Sequence, residues 1–130
     1  MTPDQVLSSL LGALSTSWAT ATPVAWPNRS FTPPDGPWIE PIVEMGDTTG
    51  GELGPDGVAL RNGVFQINVN VLPDTGYIAA AKWASRLELA FRRKEIGGVI
   101  LDDPATTPVG DVDNYYRAIV RFNFHAWIGE

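Results

Sequence analysis

Residues 63–91, GVFQINVNVLPDTGYIAAAKWASRLELAF, decide how this chain is read. Phe65, Ile67, Val69 and Val71 alternate with Gln66, Asn68 and Asn70, which is the period of a strand with one face in a core and the other polar. Pro73-Asp74-Thr75-Gly76 breaks that strand, and Asp74 or Thr75 can cap the helix behind it. Ala80, Trp83, Ala84, Leu87 and Phe91 line one side of that helix. Glu88 stands one turn before Arg92, and Arg92-Arg93-Lys94 complement the carboxyl end of the helix dipole ahead of a Gly97-Gly98 stop. No recognisable catalytic group lies in the stretch.

The segments on either side extend the pattern. Thr2-Pro3-Asp4-Gln5 is a helix start, with Thr2 as cap, Pro3 at the first turn and Gln5 completing a capping box. Leu7, Leu10, Leu11, Leu14 and Trp18 share one face of that helix, while Gly12 weakens it by about 1 kcal/mol relative to alanine. Val24-Ala25-Trp26 and Trp38–Met45 are strand candidates, the second with Pro41 at an edge or bulge. From Gly46 to Gly57 five glycines (Gly46, Gly50, Gly51, Gly54 and Gly57) surround Leu53, the pattern of a mobile loop or hairpin tip. Val99-Ile100-Leu101 predicts a short strand, and 102–113 an acidic loop with two prolines. In the last segment Tyr116, Ala118, Val120, Phe122, Phe124, Ala126 and Ile128 point one way. Tyr115, Arg117, Ile119, Arg121, Asn123, His125 and Trp127 point the other way.

Strands joined by turns, with two helices and no regular βαβ alternation, predict an α+β architecture. The expected form is a twisted, mainly antiparallel sheet with two helices packed on one face and a long glycine-rich hairpin loop. At 130 residues the chain is the length of a single domain and can hold a core without staples. The polar side carrying Gln66, Asn68, Asn70, Arg117 and Arg121 is expected to be uncovered in a monomer.

The bulk numbers exclude several functions. A formal net charge of −6 argues against neutralising nucleic-acid phosphates as the main activity. With no cysteine, neither disulfides nor thiolate metal sites are available. The apolar run 6–19 and Ala19-Thr20-Ala21 imitate a signal peptide, but Asp4 and the lack of an early Lys or Arg have the wrong polarity. No run reaches the ~20 apolar residues of a membrane span. A soluble, non-secreted protein is the expectation.

Candidate chemistry is sparse. His125 is the sole histidine, on a polar strand face with no serine beside it, and reads as a surface or interface imidazole. Asp102, Asp103, Asp111 and Asp113 are the best carboxylates for hydrolysis or Ca²⁺. However, the Asp111-Val-Asp-Asn run lacks the glycine and glutamate of a calcium loop, and turn duty accounts for it. The glycine-rich segment matches no phosphate-binding fingerprint. Ile119 and Trp127, large apolar groups among arginines, have the character of interface anchors. No catalytic residue, metal or cofactor is assigned.

The order of parts resembles the tail terminator (tail completion) proteins of long-tailed bacteriophages. The N-terminal helix, the Pro-Val-Ala-Trp-Pro-Asn segment at 23–28 and the Pro-Pro-Asp-Gly turn before Trp38-Ile39 carry the resemblance. So do the glycine-rich segment, Gly63-Val-Phe-Gln-Ile-Asn-Val, and Pro73 and Gly76 leading a helix that ends near Phe91. The resemblance implies a non-enzymatic virion subunit, assembled in the host cytoplasm and placed at the head-proximal end of the tail. It would form a homo-oligomeric ring, a hexamer, that caps the tail tube, ends its polymerisation and meets a head-side connector protein. DNA would pass through an acidic channel without specific binding. Under this resemblance Gln66, Asn68, Asn70, Arg117, Ile119, Arg121, His125 and Trp127 are the oligomer or tube interface. Gly46, Gly50, Gly51, Leu53, Gly54 and Gly57 form a flexible assembly loop. A different neck component, or a small hydrolase using the four aspartates, are the alternatives.

Overall fold

The computed structural model describes residues 2–18, 21–50, 59–73 and 76–128. Two helices, α1 (Pro3–Trp18) and α2 (Gly76–Phe91), accompany five strands. The strands are β1 (Trp38–Gly50), β2 (Ala59–Val71), β3 (Glu95–Ile96), β4 (Val99–Val112) and β5 (Tyr115–Ile128). They form one antiparallel sheet in the order β1-β2-β5-β4-β3. The expected α+β sheet with both helices on one side is therefore the architecture found. Of the glycine-rich hairpin segment, Gly46 and Gly50 lie in β1, while Gly51, Leu53, Gly54 and Gly57 fall outside the described residues. Asp74 and Thr75, the two cap candidates for α2, also lie outside them.

The alternation in β2 and β5 sets the register. Phe65, Ile67 and Val69 stand opposite Phe122, Val120 and Ala118, so both strands turn their apolar faces to the same side. There they meet Ala80, Ala84, Leu87 and Phe91 of α2 and Val6, Leu10, Leu14 and Trp18 of α1, all buried. Phe65, Phe91 and Phe122 form a triangle with ring centroids 5.9–6.3 Å apart, one ring from each of β2, α2 and β5. Trp18 and Trp83 lie 5.6 Å apart across the two helices, and the Arg86 guanidinium sits over both rings. The cation attracts the negative π faces and joins the helices where they meet solvent.

The start of α1 shows the Gln5 half of the capping box expected from Thr2 and Gln5: the Thr2 amide donates to Gln5 Oε1 at 2.8 Å, and the Val6 amide to the Thr2 carbonyl at 3.1 Å closes the first turn. The buried face runs through Val6, Leu10 and Leu14, whereas Leu7 stays 37% exposed and Leu11 half-buried. The four-residue spacing wins because it aims at the sheet, and the expected Leu7–Leu11 row is displaced to the flank. Gly12 is exposed, with no other group within 4 Å of an added Cβ. Gly12→Ala is thus expected to raise the unfolding free energy by about 0.5–1 kcal/mol, read by chemical denaturation. A loss would show that the helix needs the glycine's freedom.

Three local expectations are corrected. The acidic segment 102–113 is strand to Val112, paired along its length with β5 and turned by Asp113-Asn114. Both turn residues have positive φ (48° and 68°), the type I′ geometry that matches strand twist. Pro104 and Pro108 fit because β4 has β3 beside it only at Val99 and Ile100, leaving most of its outer side without a ladder to serve. Bulges at Leu101/Pro104 and Pro108/Gly110 take up the irregularity. The α2 helix ends at Phe91, with Arg93 in the left-handed region, and Gly97-Gly98 instead make the β3–β4 turn. Glu88 accepts a hydrogen bond from the Thr106 hydroxyl rather than pairing with Arg92, which ties α2 to β4.

The Val24 strand is a single parallel bridge to Ile39. The Ile39 amide donates to Pro23 and the Ala25 amide to Ile39, so the outer edge of β1 begins a parallel ladder. The next two donors in that ladder would be the amides of Pro41 and residue 27, and both positions are proline, which has no N–H. The pairing ends because neither partner can continue it.

Candidate assembly surface

The eight candidate interface residues all lie on the sheet side away from the helices, on the central β2–β5 pair. In successive rows Asn70 stands opposite Arg117, Asn68 opposite Ile119 and Gln66 opposite Arg121, with Asn62 opposite His125 and Leu60 opposite Trp127. The register brings these residues together as the alternation requires.

That side is not uniformly open, which corrects the expectation of an uncovered polar face. Asn70 is fully buried and Asn68 only 5% exposed. Arg117 Nε donates to Asn70 Oδ1 at 2.8 Å, Gln66 Nε2 to Asn68 Oδ1 at 2.9 Å, and Asn68 Nδ2 to Glu40 Oε1 at 3.2 Å. These two sets of bonds, one joining β5 to β2 and one joining β2 to β1, satisfy most of what they bury. Phe31 stacks 5.0 Å from Trp38, Tyr115 meets Trp38 edge-on at 5.6 Å, and the Tyr115 hydroxyl donates to the Pro34 carbonyl at 2.6 Å. The proline-rich segment 27–37 is thereby pinned across one end of the polar side. Trp38 Nε1 and Asn70 Nδ2 are buried there without a hydrogen-bond partner among the described residues.

Sequence reasoning missed this strap. Its only local signal is the placement of Trp38 out of phase with Ile39, on the polar side; Phe31, Pro34 and Tyr115 are brought to it by tertiary structure alone. At the other end the surface opens. Arg121 is exposed, with no ion-pair or hydrogen-bond partner among the described residues, and Trp127 is 52% exposed. Ile119 is half-buried.

The charged groups near this end fall into two separate pairs. His125 Nδ1 lies 3.9 Å from Asp102, and Asp103 takes a two-point hydrogen bond from Arg93 at 2.7 and 3.0 Å. The Arg93 hydrogen bond is the main reason the Asp103 carboxyl is held below its ordinary range; slight desolvation opposes it and the charges of Arg93 and Arg92 assist. Both partners are exposed, where such a pair contributes little to stability. Asp111 and Asp113 lie at the opposite end of β4, about 30 Å away at the usual rise of ~3.3 Å per residue. Among the described residues no group of three or more His, Cys, Asp or Glu side chains converges to hold a metal. No helix there is long and apolar enough to cross a membrane.

A comparison with curated proteins gives no match. One solved structure, 24% identical, superposes with a TM-score of 0.75 and covers 100% of this chain and 99% of the other. At that identity the likeness shows the fold. A model of a family described as phage tail terminator protein matches residues 5–124, which span α1 through most of β5. The chain belongs to the phage tail terminator protein family and has a structural, virion-associated role in the tail.

Proposed function

We propose that this protein is the ring subunit that caps the tail tube, ends its polymerisation and offers the surface to which the head-side connector binds. The observation that carries the reading is the join of family and surface. On a tail terminator fold, the large aromatic left half-exposed on the described part of the sheet is Trp127, and on the same face of the same strand Arg121 is exposed without a partner among the described residues. Aromatic and arginine side chains are the groups that anchor protein interfaces. The ring would be a hexamer of identical subunits, placed at the head-proximal end of the tail after assembly in the host cytoplasm. Its net negative charge would let DNA pass without adhering. The four aspartates of the hydrolase alternative stand at two ends of a strand and do not converge on one site. A role elsewhere in the neck has no separate observation in its favour.

The test is assembly. Light scattering and negative-stain images are taken with and without tail tubes, and tube length is measured in lysates lacking the protein. Rings at tube ends and over-long tubes in its absence are expected. Tubes of normal length without it would overturn the assignment. Trp127→Glu is expected to weaken ring formation by about 2 kcal/mol per interface, roughly thirtyfold, while leaving thermal stability unchanged. Intact rings from that variant would remove Trp127 from the interface.

A further inference from the structure

The outer edge of β1 is a second surface, distinct from the β2–β5 face. Ile39 turns both its N–H and its C=O outward, as its bonds to Pro23 and Ala25 show. The regular β1–β2 register from Trp38 to Met45 makes Pro41, Val43 and Met45 face outward in the same way, with Val43 the first to offer both a donor and an acceptor. Among the described residues the chain's own segment occupies this lane only at residues 23–25 and is stopped by Pro27 and Pro41. Beyond that stop no described residue pairs with the lane, which runs beside a groove of about 280 Å³ walled by Leu7, Leu11, Pro27, Ile42 and Val43. Leu7 is among the few large apolar side chains left exposed. Unpaired edge groups beside an apolar wall are what an added strand needs: main-chain bonds on one side and pockets for alternate side chains.

Charge selects the occupant. Every charged residue of β1 is acidic: Glu40, Glu44 and Asp47. Glu40, which also borders the groove, and Glu44 belong to the sheet side away from Leu7 and Leu11. An added strand would therefore place apolar residues against the two leucines and its intervening residues beside these carboxylates. A second copy is the wrong partner. The other long free edge, β4, also carries only acids (Asp102, Asp103 and Asp111), and Arg117 and Arg121 belong to a strand paired on both sides. We propose that the β1 edge from Pro41 to Met45 receives an extended segment of another protein, in which apolar residues alternate with lysine or arginine.

The probe is a capped heptapeptide of alternating lysine and valine, with its glutamate–valine counterpart as control. Binding to the full chain is followed by fluorescence polarisation and by amide chemical shifts. The basic peptide is expected to bind, to protect the Val43 amide from hydrogen exchange, and to weaken as salt is raised. The acidic peptide is expected to bind at least tenfold more weakly. Val43→Pro removes the outward donor without touching the β1–β2 ladder and is expected to weaken binding tenfold or more. Glu44→Lys, at an exposed position that cannot disturb the core, is expected to do the same. Equal binding of both peptides, no binding at millimolar concentration, or unchanged affinity in Glu44→Lys would each overturn the proposal. Concentration-dependent self-association abolished by Val43→Pro would overturn it too, by making the occupant a second copy. Neither variant alters Trp127, so ring formation remains a separate readout, and the two readings can fail independently.

Discussion

Phe122→Ala is expected to lower the unfolding free energy by about 3–5 kcal/mol, the usual range for emptying a buried phenylalanine site. Phe122 has no exposed surface, and its ring meets Phe65 at 6.3 Å and Phe91 at 6.0 Å. The three rings come from β2, β5 and α2, so no single element can move to refill the space without breaking a ladder or a helix contact. The Phe65–Phe91 and Phe91–Phe122 pairs are edge-to-face, at 82° and 77°, and such pairs add to what area alone contributes. Denaturant titration of the wild type and variant measures the difference; a loss under about 1 kcal/mol would mean that the triangle is not the centre of the core. Phe122→Leu keeps most of the volume and should recover more than half of the loss.

The second large effect comes from adding atoms rather than removing them. Gly63 lies in β2 opposite Met45 of β1 and Phe124 of β5. A methyl there would overlap the Phe124 ring and stand 2.5 Å from the Glu44 carbonyl oxygen. Phe124 is 2% exposed and cannot swing outward, and the carbonyl belongs to the backbone of the paired strand. Gly63→Ala is therefore expected to cost about 3 kcal/mol, the upper end of what overpacking a filled core produces, and Gly63→Val more. Thermal unfolding of the two variants beside Gly12→Ala makes the contrast plain. One glycine sits where nothing lies within reach and the other where two strands and a ring already meet. Equal effects at the two positions would refute the packing account.

How much of this could be read from the sequence varies with what sets each element. β2, β5 and both helices were legible, because their apolar residues recur at the period of the element and the core they share rewards that period. β4 was not. Leu-Asp-Asp-Pro-Ala-Thr-Thr-Pro-Val-Gly-Asp-Val has the prolines and acids of a loop, yet those residues also suit a strand with one free edge. The deciding cue was the Asp113-Asn114 pair, whose left-handed conformations close a hairpin rather than a loop. The candidate surface was legible only by side. Alternation placed Asn68, Asn70 and Trp127 on the same side, but nothing local separates the two buried amides from the exposed indole. That difference comes from Phe31, Pro34 and Trp38, which reach the surface by tertiary packing. The proline stop between the β1 edge and residues 23–25 was likewise hidden, since it depends on which strand neighbours which.

The strand order has a kinetic consequence. β1–β2 and β4–β5 are each joined in sequence and can form as hairpins within microseconds. The β2–β5 ladder joins residues 59–71 to 115–128, with α2, β3 and β4 between them, so closing that central seam is the slow, high-contact-order event. Until it closes, β2 and β5 present unpaired edges rich in Val, Ile and Phe, the kind that pair with whatever strand arrives first. A chain folding beside copies of itself is most vulnerable to strand exchange with them during that interval. Gly63 and Phe122 both sit on the seam, so variants there should slow folding as well as weaken the fold, and should lose yield to aggregation before their stability alone would require it.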